Sequence, residues 1–173
     1  MSITPTERLR FVTLEERHRR ALAAGKSELA RLLGVALPEA WPEFPEAFAP
    51  APADVVPNPT QWNGYLLIDR GFIDPAVATL VGNGGFHGPP NDLGEVEIGY
   101  EVAGEFRNRG YATEAVRGFV NFAFSDADVR AVVAHTLAEK NASNSVLTRV
   151  GFKCVAELAN DEVGRVWRWT LAR

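Results

Sequence analysis

The sequence predicts a mixed α+β domain in which strands outnumber helices, and three stretches carry that expectation. Glu95 to Val102 alternates strictly, with Val96, Ile98, Tyr100 and Val102 on one face and Glu95, Glu97 and Glu101 on the other, the period of a strand. From Ala112 the apolar residues recur at Ala115, Val116, Phe119, Phe122 and Ala123, the three-and-four spacing of a helix with one buried face. Near the C-terminus Phe152 to Leu158 and Arg165 to Leu171 form a hairpin across Asn160 to Gly164, with Trp167, Trp169 and Leu171 on one face.

The remaining elements follow in order. Leu9 to Leu14 can form an opening strand, and helical stretches follow over Glu15 to Ala24 and Ser27 to Leu33, ending at Gly34. The segment from Pro38 to Pro59 holds Pro38, Pro42, Pro45, Pro50, Pro52, Pro57 and Pro59 of the 11 prolines, which opposes regular structure and predicts a long loop. Trp62 to Asp69 and Ala78 to Phe86 read as an antiparallel pair of strands. Within the second, Gly82 to Gly88 resembles a dinucleotide loop, but His87 stands where a third glycine is needed and Pro89-Pro90 replaces the helix, so that reading is rejected. Val129 to Thr136 is a further strand, and a short helix carries Val146, Leu147 and Val150.

Composition bounds the function. With 173 residues, 46% hydrophobic and 23% charged, the chain suits one well-buried core, and 1–173 is read as a single domain. A net charge of −4 argues against nucleic acid or an anionic membrane as partner and suits a cationic or amine-bearing one. The start lacks an apolar signal core and no run is long enough to span a membrane, which points to the cytoplasm. Cys154, the only cysteine, excludes an intrachain disulfide and reads as a small buried hydrophobe. His18, His87 and His135 are scattered, His87 and His135 read as ordinary strand-end residues, and no metal site is expected.

The most informative stretch is Arg107-Asn108-Arg109-Gly110-Tyr111-Ala112, followed by Thr113. It joins a basic turn to the helix that begins near Gly110. The first turn of a helix leaves backbone N–H groups unpartnered and carries the positive end of the macrodipole, so an anion fits there. Gly110 and Ala112 add no bulk, while Arg107 and Arg109 bring charge to the rim.

Basic residue, two residues, Gly, one residue, Ala resembles the pyrophosphate signature of the GNAT superfamily of acyl-CoA-dependent N-acetyltransferases. Upstream, Glu95 to Val102 looks like that family's fourth strand. Downstream, Asn141-Ala142-Ser143-Asn144-Ser145-Val146-Leu147, closed by Gly151-Phe152, resembles its second signature. The likeness is greatest to the branch containing ribosomal-protein N-terminal acetyltransferases. It implies a central, mostly antiparallel twisted sheet of six to seven strands flanked by helices and splayed between strands 4 and 5, with acetyl-CoA as co-substrate.

The resemblance also implies roles. Arg107, Arg109, Gly110, Tyr111, Ala112 and Thr113 would hold the pyrophosphate, the backbone of Tyr100, Glu101 and Val102 the pantetheine arm, and Asn141 would contact that arm as well. Glu97 would be the general base, and Ser143 would donate to the leaving thiolate while also lining the coenzyme. Other readings stand beside these. Glu97 is equally the solvated face of a strand, Asn141, Ser143 and Asn144 are all good N-caps, and the register of Asn141 and Ser143 is open by a residue. Tyr111 packs or contacts coenzyme. Trp41 and Phe44 either line an amine pocket on the acceptor side or pin the Pro-rich loop. The implied activity is transfer of an acetyl group to a primary amine of a small molecule or a protein N-terminus by direct attack in a ternary complex. A non-catalytic acyl-CoA sensor is the alternative, and either a monomer or a homodimer is compatible.

Overall fold

The computed structural model describes residues 3–49 and 61–173. Seven strands form one sheet in the order β1-β2-β3-β4-β5-β7-β6. The strands are β1 (Leu9–Thr13), β2 (Gly64–Asp69), β3 (Thr79–Phe86), β4 (Glu95–Val102), β5 (Ala131–Leu137), β6 (Lys153–Asn160) and β7 (Gly164–Ala172). The helices are α1 (Glu16–Ala24), α2 (Lys26–Leu33), α3 (Tyr111–Ser125) and α4 (Ala142–Val150). The mixed fold and mostly antiparallel sheet expected from the sequence are therefore present, and Glu95 to Val102 has its expected bounds.

Every neighbouring pair of strands is antiparallel except β4 and β5, whose connection runs through α3. A parallel pair needs such a crossover. Its ladder is short: Glu95, Val96 and Glu97 pair with Ala131, Val132 and Val133 and no further. Beyond that point β4 continues against β3 as far as Val102, and β5 continues against β7 as far as Leu137. The two strands diverge, and the edge of β4 after Glu97 faces a gap.

Helix α3 fills one face of the sheet. Ala115, Val116, Phe119 and Ala123 are fully buried, and Phe119 meets Phe11 and Phe86 edge to face at 5.4 and 5.7 Å. Burying a side chain of this size contributes about 2–3 kcal/mol. Close approach depends on glycine. A Cβ at Gly84 would lie 2.9 Å from Tyr100 Cβ and 3.0 Å from the Phe119 ring, and one at Gly82 would lie 2.0 Å from the Glu101 carbonyl oxygen. The glycines that resemble a dinucleotide loop are thus strand residues that let β4 and α3 close on β3.

Trp41 is buried, donates through Nε1–H to Asn83 Oδ1 at 2.7 Å, and meets Phe48 edge to face at 5.0 Å. It pins the start of the Pro-rich segment to β3 and does not line a pocket. The rest of that segment, 50–59, lies outside the described residues. Cys154 is exposed, contrary to the buried hydrophobe expected. The reason is topological: β6 is an edge strand, and nearly all of its side chains face solvent.

Candidate active site

The gap between β4 and β5 opens into a cleft of about 770 Å³. Tyr100, Glu101 and Val102 of β4 form one wall, and Asn141, Ser143, Val146 and Arg149 of α4 the other. Gly110, Tyr111, Ala112 and Thr113 line it from the start of α3, and Glu43 and Phe44 line it from the first part of the Pro-rich segment. Three separate stretches of sequence therefore converge on one space because α3 crosses over between the diverging strands.

At the end formed by α3, Gly110 is the N-cap with φ +83°, and no side chain caps the helix. The first-turn amides are left to whatever occupies the cleft. Thr113 is buried and its hydroxyl has no partner. An uncapped helix start beside an orphaned hydroxyl fits a phosphate. The N-terminus of α4 is different, since Asn141 Oδ1 accepts from the Asn144 amide at 3.1 Å. Asn141 is thus the cap, and both Asn141 and Ser143 face the cleft, whereas Asn144 donates to the Glu139 carbonyl.

The arginines are more committed than the sequence implied. Arg107 lines the cleft, but its Nε donates to the Val102 carbonyl at 3.1 Å and its guanidinium pairs with Glu43. Arg109 is not among the cleft-lining residues; its guanidinium sits 5.7 Å from the Phe106 ring centre, and its carbonyl accepts from Arg8. Arg149, which sequence reasoning passed over, does line the cleft. It lies four residues after Ser145 and three after Val146, and that helical spacing was the signal available.

Two tyrosines and one carboxylate have special surroundings. Burial pushes the Tyr100 phenol up to about 12, and its hydroxyl reaches the Ser143 carbonyl at 3.4 Å, linking β4 to α4. Burial and the neighbouring Asp69 push Tyr111 up to about 12 as well, and its hydroxyl donates to Asp69 at 2.8 Å. Tyr111 therefore packs at the cleft with its hydroxyl committed elsewhere. Glu101, expected on a solvated face, is buried: Oε1 accepts from the Glu43 amide at 2.7 Å, and Oε2 has no partner.

Glu97 lies at the last β4–β5 pair, where the strands part, and like Arg109 it is not among the cleft-lining residues. Its carboxylate is 37% exposed. His135 Nδ1 is 2.8 Å and His87 Nδ1 3.5 Å from its Oε1, so two histidines read from sequence as ordinary strand ends gather on one carboxylate. Glu95, on the same face, is bound instead to Arg168 at 2.8 Å, and that hydrogen bond holds its carboxyl below the usual range. Glu97 meets the two imidazoles and, among the described residues, no arginine or lysine.

Known proteins resemble this chain in sequence or fold. The chain is 26% identical over 156 residues to the uncharacterized N-acetyltransferase YjdG of Bacillus subtilis (strain 168), covering 88% of this chain and 90% of that one. Among solved structures, the ribosomal L7/L12 alpha-N-protein acetyltransferase RimL in complex with coenzyme A superimposes with a TM-score of 0.66 at 16% identity, over 98% of this chain and 97% of that one. Mycobacterium smegmatis RimJ in complex with CoA-disulfide gives 0.55 at 20% identity, over 64% of this chain and 52% of that one. Residues 8–153 match the acetyltransferase (GNAT) domain, a span that contains the splayed strands, the uncapped helix and Glu97. The chain belongs to the GNAT family of acetyltransferases.

Proposed function

We propose that this protein transfers the acetyl group of acetyl-CoA to a primary amine, on a small molecule or a protein N-terminus, by direct attack in a ternary complex. The observation that carries this reading is the single cleft running from the uncapped start of α3 along the free edge of β4, which parts from β5 at Glu97. The amides of Tyr111 to Thr113 and the Thr113 hydroxyl hold the pyrophosphate, and Arg149 supplies the nearby positive charge. The backbone of Tyr100 to Val102 holds the pantetheine arm as an added strand would, and Asn141 contacts it from α4.

Glu97 takes a proton from the acceptor, since a lysine-like amine with a reference pKa near about 10.4 and an α-amine near about 8 are both mainly protonated at neutral pH. The amine nitrogen bonds to the acetyl carbon, the carbon–sulfur bond breaks, the second nitrogen proton passes to the departing thiolate to give the free thiol, and the Ser143 hydroxyl hydrogen-bonds that sulfur as it leaves. Phe44, which is 52% exposed at the mouth of the cleft, offers an apolar contact to the acceptor.

Thermal unfolding with and without acetyl-CoA, followed by turnover with an amine panel, tests the proposal. A ligand at about 100 times its dissociation constant adds roughly 2.7 kcal/mol of stability. Glu97→Gln is expected to lower turnover without weakening acetyl-CoA binding. Binding with no turnover on any amine would favour a coenzyme sensor.

A further inference from the structure

We propose that His135 and His87 are positioning residues, which together clamp one oxygen of Glu97 across the gap between β4 and β5 and leave the other to meet the amine. The inference rests on Glu97 as the base and adds what holds it there.

The clamp follows from the register. Glu97 pairs with Val133, so their side chains share a face, and alternation puts His135 on that face two residues further along β5. At that point no backbone ladder joins the two strands. The 2.8 Å contact from His135 Nδ1 to Glu97 Oε1 spans the opening in its place. His87 reaches the same oxygen from the end of β3, at 3.5 Å. Its ring has room because Gly99, next to Glu97 on the same face of β4, has no side chain; a Cβ there would lie 2.9 Å from His87 Nε2.

The surrounding charges leave this cluster to itself. Arg168 stands opposite His135 in the β5–β7 ladder but is taken by Glu95 at 2.8 Å, and Asn91 also binds Glu95. Glu101, further along the same face, is bonded to the Glu43 amide. Glu97 therefore meets two imidazoles and no guanidinium. A His135 ring carrying Nδ1–H donates to Oε1, and the His87 ring stands against the same oxygen at 3.5 Å, which together restrict the carboxylate rotamer without the fixed charge that an arginine would impose. Oε2 is then the oxygen that accepts the amine proton.

The test measures kcat and both KM values for His135→Leu, His135→Asn, His87→Leu and Glu97→Gln at one fixed pH, using the best amine of the panel. His135→Leu should lower kcat by at least about tenfold with the KM for acetyl-CoA unchanged, since misplacing a reacting group is costly. His135→Asn, whose amide stands where Nδ1–H was, should recover most of kcat. A merely structural histidine would give neither that recovery nor a loss confined to kcat. Wild-type turnover in both His135→Leu and His87→Leu, with Glu97→Gln inactive, would overturn the clamp and leave Glu97 as the base. Wild-type turnover in Glu97→Gln would remove the base and the clamp with it. His87 is 61% exposed, so its variant reads the clamp even if His135→Leu does not fold.

Discussion

The Tyr111 hydroxyl donates to Asp69 Oδ1 at 2.8 Å inside the protein, tying the first residue of α3 to the last residue of β2. Asp69 is fully buried, and its second oxygen accepts the amides of Gly71, Phe72 and Ile73 at 2.8 to 3.0 Å. One carboxylate thus organises the turn after β2 and fixes where α3 begins. The position of the uncapped amides at the cleft is inherited from it.

Removing that hydroxyl separates structure from ligand binding. Tyr111→Phe leaves a buried carboxylate oxygen without its donor and is expected to cost about 1–3 kcal/mol in denaturant unfolding. Asp69→Ala frees three amides and the phenol together and should cost more, about 3–5 kcal/mol. Equal stability of Tyr111→Phe and wild type would show that the bond contributes nothing net.

A second tie at the same end of α3 depends on pH. Burial alone would raise the Glu114 carboxyl, but the Thr6 hydroxyl, the Arg8 amide and the Arg8 guanidinium outweigh it and hold it below its ordinary value of 4.5. A carboxyl whose folded pKa is depressed contributes stability that is present above the unfolded value and is lost as pH falls through the folded one. Glu114→Gln should therefore lower Tm near neutrality, and the gap to wild type should narrow as pH falls below the ordinary value of 4.5 and close beneath the lowered folded one. A gap that is constant from neutral to acid would assign the loss to packing alone.

Thr113 offers the opposite signature. Its hydroxyl is buried without a partner, so Thr113→Val removes an unsatisfied group at almost constant shape. Stability of the free protein should be unchanged or higher. Affinity for acetyl-CoA should fall about five- to tenfold, the loss of one hydrogen bond of about 1 kcal/mol. Calorimetric titration that finds unaltered affinity would take the hydroxyl out of the phosphate site.

Much of this was legible in the sequence because periodicity reports backbone state directly. The alternation from Glu95 to Val102 and the spacing from Ala112 to Ala123 place β4 at its observed bounds and α3 to within two residues, Gly110 marks the start of α3, and the start of α4 falls at Asn141, one of three caps the sequence offers. Pairing across the sheet leaves no such trace. Nothing local says that His87 and His135 meet at Glu97, that Glu101 is covered by the Glu43 amide, or that Arg168 is spent on Glu95. The exposure of Cys154 was missed for a related reason, since alternation shows a strand and not whether the strand is an edge.

The arginines give the sharpest contrast between motif and geometry. Arg109 belongs to the basic hexapeptide, yet its guanidinium lies over Phe106 and its carbonyl is bonded to Arg8, whereas Arg149 belongs to no signature and lines the cleft from α4. A full charge close to a bound phosphate acts strongly, and one turned away acts only through the screened field. Arg149→Glu should therefore weaken acetyl-CoA binding by more than about tenfold at physiological salt, and Arg109→Glu by less than about threefold, with the smaller effect fading as salt is raised. Because both side chains are exposed, neither change should disturb the fold, and Tm of the free variants checks that. The reverse order of affinities would return the phosphate contact to Arg109 and would require its guanidinium to leave Phe106 when the coenzyme binds.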